Sequence, residues 1–553
     1  MNLAPYSHPG RRVLCLWLLL LLPGLSGCRQ EPRADLVILN SAEPESLDPA
    51  IVTGQPDLRV VGALFEGLAR TDAKTGGPIP GWAERWDISA DAKTYTFHLR
   101  TNAQWSTGEP IEAADFVYSW RRALDPATAA DYASQLFPIK NAAAFNRGVI
   151  RDPAQVAVEA LDARTLRVEL TRPTAFFLDL CAFPTLAVVP RQAIEKNGDR
   201  WLTVSPLPVS GAYLLEAWRI NDKVRLRKNP RYWDAANTQT ELVDILPVGS
   251  ATTALNFYET GAADIVWDKE LIPAEMIDVL LSRPDFHTFD YLAAYFIRLN
   301  VTRPPFDRPG VRRALALAID KQRIVDKITK AHERVATQIT PAGIPGYQPP
   351  EGLPYDPVAA RRELAAAGFP DGNGFPPFRY MFNASSGGSS KTHQKIGVEL
   401  QQMWKETLGI RVELRQVESK IHLAAQSALD YDTCRSSWVG DYNDPCTFLD
   451  LFLSSNGNNR TGWKNARYDA LLDQANNQVD KAQRARLLRE AETLLVRDEL
   501  PIIPLFFYKG ICYYDSNRVD GIYPNLIDQH PINFIRKLGR KNPRLPNAAQ
   551  PLN

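Results

Sequence analysis

The side chains that most often carry chemistry are sparse and scattered in this chain. The histidines are His8, His98, His287, His332, His393, His422 and His530. None forms the H-E-x-x-H pair that holds zinc on one helix face, and His332-Glu333 runs on into Arg334-Val335-Ala336. No G-x-S-x-G elbow, phosphate-binding glycine loop or dinucleotide fingerprint occurs. Past Cys28 only Cys181, Cys434, Cys446 and Cys512 remain, without C-x-x-C or zinc spacing. These residues offer no catalytic constellation, and no metal or cofactor is expected. One stretch does concentrate polar chemistry: "WVGDYNDP", Trp438 to Pro445. It sets a large aromatic, a glycine and two acids side by side. Asp441 reads as a catalytic acid, a metal ligand, a turn residue or a counter-charge for a cation. Local rules alone favour the turn residue, an acid satisfying nearby backbone donors.

The elements that must position such a residue belong to a chain of ordinary globular make-up. It has 553 residues, 45% hydrophobic and 23% charged, enough for two or three domains. Lys plus Arg is 64 and Asp plus Glu is 63, a balance with no electrostatic footprint for nucleic acid. Forty-two prolines imply many irregular connections and argue against a helical bundle. Arg11 and Arg12 precede the apolar run Val13 to Leu22, too short to span a membrane but ordered like a secretory signal. Leu25-Ser26-Gly27-Cys28 resembles a bacterial lipobox, in which cleavage precedes the Cys and acylation follows. This predicts residues 1–27 as a lipoprotein signal and a mature chain outside the cytoplasm, held to a membrane through Cys28. In that oxidising setting Cys434 and Cys446, flanking the acidic stretch, are open either to pairing or to life as free buried thiols.

Periodicity gives the elements. Residues 35–39, "DLVIL", read as a buried strand. In "TYTFHL" the residues Tyr95, Phe97 and Leu99 alternate to one side. Phe116, Trp120 and Leu124 recur on one helix face, which Asp125-Pro126 ends. "GVRRALALAIDKQRIVDKI" reads as one amphipathic helix. Asp356, Pro357 and Gly368 punctuate another as N-cap, first turn and stop. "KTHQKIGVELQQMWKETLGIRVELRQV" reads as helix, Gly409 turn and strand, and residues 466–497 as a long helical region before the strand "IIPLFF". Strands mixed with crossover helices indicate an α/β chain.

These segments resemble the peptide-binding solute receptors of ABC importers, the oligopeptide and dipeptide branch of extracellular solute-binding protein family 5. The likeness runs from about residue 36 to 534. It is carried by "AEPESLDP", "TYTFHLRTNAQWSTGEPIEAADFVYSWRRALDP", "LRKNPRYWD", "PFDRPGVRRALALAID", "ARRELAAAGF" and "WVGDYNDP". It implies an α/β two-lobed periplasmic-binding-protein fold with an additional domain inserted in lobe one, three domains in all. Lobe one is expected at 34–70, 190–291 and 508–537, the extra domain at 71–189, lobe two at 292–507 and a tail at 538–553. The hinge is expected at Tyr291-Leu292 and Phe507-Tyr508.

The resemblance also implies a site. Asp441 takes the place of the acid that holds a peptide's α-ammonium, with Gly440 allowing close approach and Trp438 forming a wall. Arg435 matches an arginine that meets peptide carboxylates. Asn383 and Tyr132 match polar residues of the cleft, Arg303 a lysine near the ligand's far end, and Glu43 lies in the loop closing the cleft. Gln426 departs from a second arginine and Ser419 from a tryptophan, which bears on ligand length and affinity. The implied function is a lipid-anchored, monomeric periplasmic receptor that hands short peptides to a membrane permease, with no catalysis. The same fold also serves nickel chelates, haem or oligosaccharides, and a cell-envelope hydrolase is the reading from another class.

Overall fold

The computed structural model describes residues 31–384 and 389–539. The signal-like segment with Cys28 and most of the expected tail lie outside the described residues. From Asp35 onward the chain is one compact unit. Its frame is an eleven-stranded sheet. Ten strands follow in the order Val412–Glu418, Phe378–Ala384, Thr433–Val439, Phe286–Leu299, Ile502–Tyr514, Ile265–Val266, Leu36–Asn40, Leu242–Pro247, Lys223–Lys228 and Tyr213–Arg219. Two of them, Phe286–Leu299 and Ile502–Tyr514, have 14 and 13 residues and run antiparallel through the middle. Their ladder pairs Phe286 to Asp290 with Tyr513 to Lys509, then Ala294 to Arg298 with Phe507 to Ile502. The register shifts between Asp290 and Ala294 and again between Tyr295 and Phe296. The first break leaves Tyr291, Leu292 and Ala293 unpaired on one strand and Tyr508 on the other, and local ladder disruption increases bend and twist there.

The pleat explains how one strand serves two cores. Tyr295, Ile297 and Leu299 pack into a cluster with the helices Pro309–Leu317 and Ser389–Leu408. Leu292, Ala294 and Phe296 point the other way, into a cluster with the helices Ala466–Asn476 and Lys481–Thr493. A strand covered on both faces reads as an unbroken apolar run, as "YLAAYFI" does. Each such side chain contributes about 1.5–3 kcal/mol on full burial.

A separate antiparallel sheet orders Ala83–Ile88, Thr94–Leu99, Thr165–Glu169 and Val158–Asp162. Tyr95, Phe97 and Leu99 are buried, as their alternation predicts. Against them lies the helix Ala113–Leu124, which buries Phe116, Trp120 and Leu124 and opens on a Glu112/Asp115 capping box. The punctuated helix is Pro357–Ala366, with the Asp356 carboxylate accepting from the amides of Val358 and Ala359.

Two expectations are corrected. "GVRRALALAIDKQRIVDKI" is broken: the helix Pro309–Leu317 ends, and the Asp320 carboxylate caps a new start at Lys321–Ile324. Residues 466–497 likewise split, because Asp480 caps the second helix by accepting from the Gln483 amide. In both places an acid inside the amphipathic pattern caps a new helix instead of continuing the old one.

Candidate functional site

The strand Thr433–Val439 lies beside the first long strand, Trp438 opposite Ala294 and Arg435 opposite Ile297. Alternation sends Arg435 and Trp438 to opposite faces of the sheet. The expected site residues therefore fall into two groups.

The first group surrounds Arg435. Its guanidinium donates to Asn383 Oδ1 at 3.2 Å, Ser437 Oγ at 3.0 Å and the Tyr508 hydroxyl at 3.2 Å. It also stands 5.2 Å from the Tyr295 ring centroid. No described carboxylate pairs with it, and its Nε is buried without a partner. Asn383 is fixed in turn by donating to Ser419 Oγ at 3.3 Å. Arg435, Asn383, Tyr295 and Tyr508 line a cavity of about 340 Å³ together with Lys269, Glu270, Glu333, His393 and Lys509. His393 is buried, and burial together with the Arg435 and Lys269 charges pushes its pKa down to about 2, so the ring is neutral. A buried guanidinium held only by neutral groups carries an uncompensated charge, which is costly unless paired.

The second group surrounds Asp441. The Gly440 amide donates to the Leu292 carbonyl at 2.7 Å and the Asp441 amide to Thr447 Oγ1 at 3.1 Å. The Asp441 carboxylate receives the Tyr132 hydroxyl at 3.4 Å. Among the described residues no cation pairs with it, and burial pushes its pKa up to about 6. Asp179 lines the same small cavity, and burial plus the Asp444 charge pushes its pKa up to about 7. At neutral pH an ionised Asp441 is a desolvated charge with no cation beside it among the described residues, and such a charge is costly unless paired.

Gly440 is close-packed against the protein itself: a Cβ there would stand 2.5 Å from Leu292 Cδ2 and 3.0 Å from Thr447 Cγ2. Trp438 packs with the core that holds Leu292 and Phe296, and its indole nitrogen is buried without a partner. Two expected residues join neither group. Arg303 is engaged by Asp432 at 2.9 Å and Asp430 at 3.1 Å. Glu43 accepts from the Trp218 indole and from the Asn221 amide at 3.1 Å, which turns it to the hairpin between Tyr213–Arg219 and Lys223–Lys228. Gln426 is buried and donates to the Arg435 carbonyl, so it buttresses the strand. The described cysteines, Cys434 and Cys446 included, are buried free thiols.

Residue patterns did not single out His393, Lys269 or Tyr508. Each stands alone in sequence, and the order of the central strands together with the helix Ser389–Leu408 brings them together. Tyr508 did carry a signal, since it sits at the expected hinge crossing.

The family model of bacterial extracellular solute-binding proteins, family 5, middle region, matches residues 77–460. The chain belongs to this family. Family 5 relatives resemble it over nearly their whole length. The periplasmic oligopeptide-binding protein OppA of Salmonella typhimurium is 35% identical over 494 residues, 87% of this chain and 89% of the relative. A probable deoxycholate-binding periplasmic protein of Escherichia coli, YgiS, is 36% identical over 481 residues, 85% and 87% of the two chains. Among solved structures, Haemophilus influenzae OppA in complex with RPPGFSPFR has a TM-score of 0.75 at 31% identity, covering 92% of this chain and 100% of that one. The fold is thus the two-lobed one of family 5, with its additional domain. The relatives are solute-binding proteins rather than enzymes. Among the described residues no group of three or more His, Cys, Asp and Glu is placed to hold a metal, and no helix is long and apolar enough to cross a membrane.

Proposed function

We propose that this family 5 protein captures short peptides between its two lobes and delivers them to the permease of an ABC importer. One observation carries the reading. Asp441, an acid without a cation, and Arg435, a cation without an acid, lie six positions apart on one continuous stretch of chain. At a strand rise of about 3.3 Å per residue that is up to about 20 Å, the span of an extended peptide with a charge at each end. Asp441 takes the α-ammonium, Tyr132 supports that carboxylate, and Gly440 and Trp438 shape its loop. Arg435, steadied by Asn383, takes a carboxylate. Main-chain groups of an extended peptide pair without regard to side chains, and water adapts roomy pockets to them. Arg303 and Glu43 are left out of this site because protein partners already occupy them.

The lobes take the boundaries set out from the sequence, 34–70 with 190–291 and 508–537 against 292–507, with 71–189 as the extra domain. Closure bends the two long strands at their register shift. Cys28 carries the lipid anchor, and the protein works as a monomer on the periplasmic side of a membrane.

A bile-acid ligand, the chemistry in the name of YgiS, would leave Asp441 ionised and unpaired in the closed site. The test is thermal unfolding with peptides of three to six residues, free amino acids and deoxycholate in parallel. A peptide at about 100 times its Kd adds roughly 2.7 kcal/mol and raises Tm. Single amino acids, too short to bridge the two ends, leave Tm nearly unchanged. Stabilisation by deoxycholate alone would overturn the peptide reading.

A further inference from the structure

The cavity that Arg435 lines holds a second cation, Lys269, with no acid paired to it among the described residues. Lys269 follows the strand Ile265–Val266, on the far side of the two long strands from Arg435. Its Nζ lies over the face of the Tyr508 ring, 4.2 Å from the centroid. The hydroxyl of that same Tyr508 accepts from Arg435 Nη2 at 3.2 Å. One aromatic side chain, at the break in the long-strand ladder, thus touches a cation from each side of the cleft.

We propose that Lys269 and Arg435 form a two-cation clamp for a carboxylate of the ligand, and that this carboxylate draws the two sides of the cleft together. The inference rests on the peptide reading and adds to it a residue that family likeness did not supply. The cavity's own acids do not serve the purpose. Glu333 accepts from Thr329 Oγ1 and from the Ala331 amide, both at 2.8 Å, and among the described residues no carboxylate forms an ion pair with Lys269 or Arg435. Lys509, the third cation, is taken by Asp290 at 2.7 Å. That leaves two cations facing one space of about 340 Å³. His393, between them, is held neutral by burial and by both charges, so it adds no third.

The physical consequence is a change of sign. Without ligand, closure brings two like charges together in a space that is losing water, which opposes it. A carboxylate between them turns the repulsion into two charge-assisted contacts. The two cations divide the work by type. Arg435 is a planar fork already oriented by Asn383, Ser437 and Tyr508. Lys269 is a mobile point charge on a flexible stem, suited to follow the carboxylate as the lobes close. Two sources could supply the carboxylate: the peptide's C-terminus or an acidic side chain near that end.

Titration calorimetry on the full chain separates the possibilities, with the native protein, Lys269→Met and Lys269→Arg. Lys269 is exposed, so its replacement does not endanger folding. The probes are a tetrapeptide without acidic residues, its C-terminal amide, and an amide whose last residue is Glu. Amidation of the acid-free peptide is expected to weaken native binding by about tenfold. In Lys269→Met that penalty shrinks by roughly three- to fivefold, and in Lys269→Arg it returns. Recovery of native affinity by the Glu-ended amide, lost again in Lys269→Met, also supports the clamp and names the side chain as a source. An amidation penalty equal in native protein and Lys269→Met overturns the clamp while leaving peptide capture standing. Failure of every peptide to bind the native protein overturns both.

Discussion

Phe176 and Tyr442 lie face to face, ring centroids 4.0 Å apart and planes within 5°. Phe176 sits just before the helix Phe177–Cys181, in the segment that carries the four-stranded sheet. Tyr442 is the residue after Asp441. The stack therefore ties that segment to the acidic loop across the cleft, and Arg172 adds an ion pair to Asp473 at 3.6 Å beside it. An exposed pair of this kind contributes little, so the aromatic contact dominates. It is worth about 0.5–1.5 kcal/mol beyond its buried area, or roughly two- to tenfold in the closed-to-open ratio. Phe176→Ala should weaken peptide binding by about that factor, mostly through faster release. Small-angle scattering of the unliganded variant should show a larger radius of gyration than native. Identical scattering and release rates would mean that the stack does not hold the cleft.

Gly440 is fixed by packing rather than by backbone conformation. Its absent Cβ leaves room for Leu292, the residue at the register shift of the long strands. Gly440→Ala should force Leu292 and Thr447 apart and destabilise the protein by about 1–3 kcal/mol. Denaturant unfolding checks this. Peptide affinity, compared at a temperature where both proteins are folded, should fall less than it does on removing the Asp441 charge.

Much of this architecture was legible in the residues. The alternation of Tyr95, Phe97 and Leu99 and the spacing of Phe116, Trp120 and Leu124 are local patterns, and local patterns survive folding when they agree with it. The role proposed for Asp441 comes only from likeness to a family, since a lone Asp after glycine is most often a turn residue. The protein partners of Arg303 and Glu43 were not legible, because charge type says nothing about what engages the charge: Asp430 and Asp432 lie about 130 residues from Arg303, and Trp218 lies 175 from Glu43. Lys269, His393, Arg435 and Tyr508 come from four distant segments and meet only because the strand order and the helix Ser389–Leu408 packed on the sheet bring those segments together. No spacing rule encodes such a meeting.

The anchor is tested at its own residue. Cys28→Ser removes the only thiol that the lipobox-like sequence offers for acylation. Two or three acyl chains, at about 0.8 kcal/mol per buried CH₂, hold a protein on a membrane, and their loss should move it to the soluble fraction. Mass spectrometry of the purified protein should show the lipid on the native chain alone. A Cys28→Ser protein that still sediments with membranes after a salt wash would remove the anchor from the proposed function.

The charge of Asp441 makes the sharpest prediction, because stability and affinity should move in opposite directions. Burial raises its pKa from 3.8 to about 6. The proton is therefore held more tightly in the folded, empty protein than in the unfolded chain. The stability this gives is fully present below about pH 4 and is lost as pH rises through 6. Asp441→Asn, uncharged at every pH, should escape that loss, so the empty variant should melt higher than native at pH 7.5. Affinity runs the other way, because only the ionised acid attracts an α-ammonium. Native binding of a free-amine peptide should strengthen as pH rises from 4.5 through 6 and level off above it, until the ammonium itself begins to deprotonate near 8. Asp179, with a pKa of about 7 in the same cavity, adds a second step that Asp179→Asn should remove. Leaving a buried ammonium unpaired costs about 3–5 kcal/mol, so Asp441→Asn should lose roughly a hundredfold or more in affinity at pH 7. N-acetylation of the peptide removes the same pair from the other side. It should therefore cost the native protein a similar factor and the variant little, a non-additivity that calorimetry on the four combinations measures directly. Equal binding of acetylated and free peptides by the native protein would return Asp441 to the role of a turn residue, and peptide capture would lose the observation that carries it.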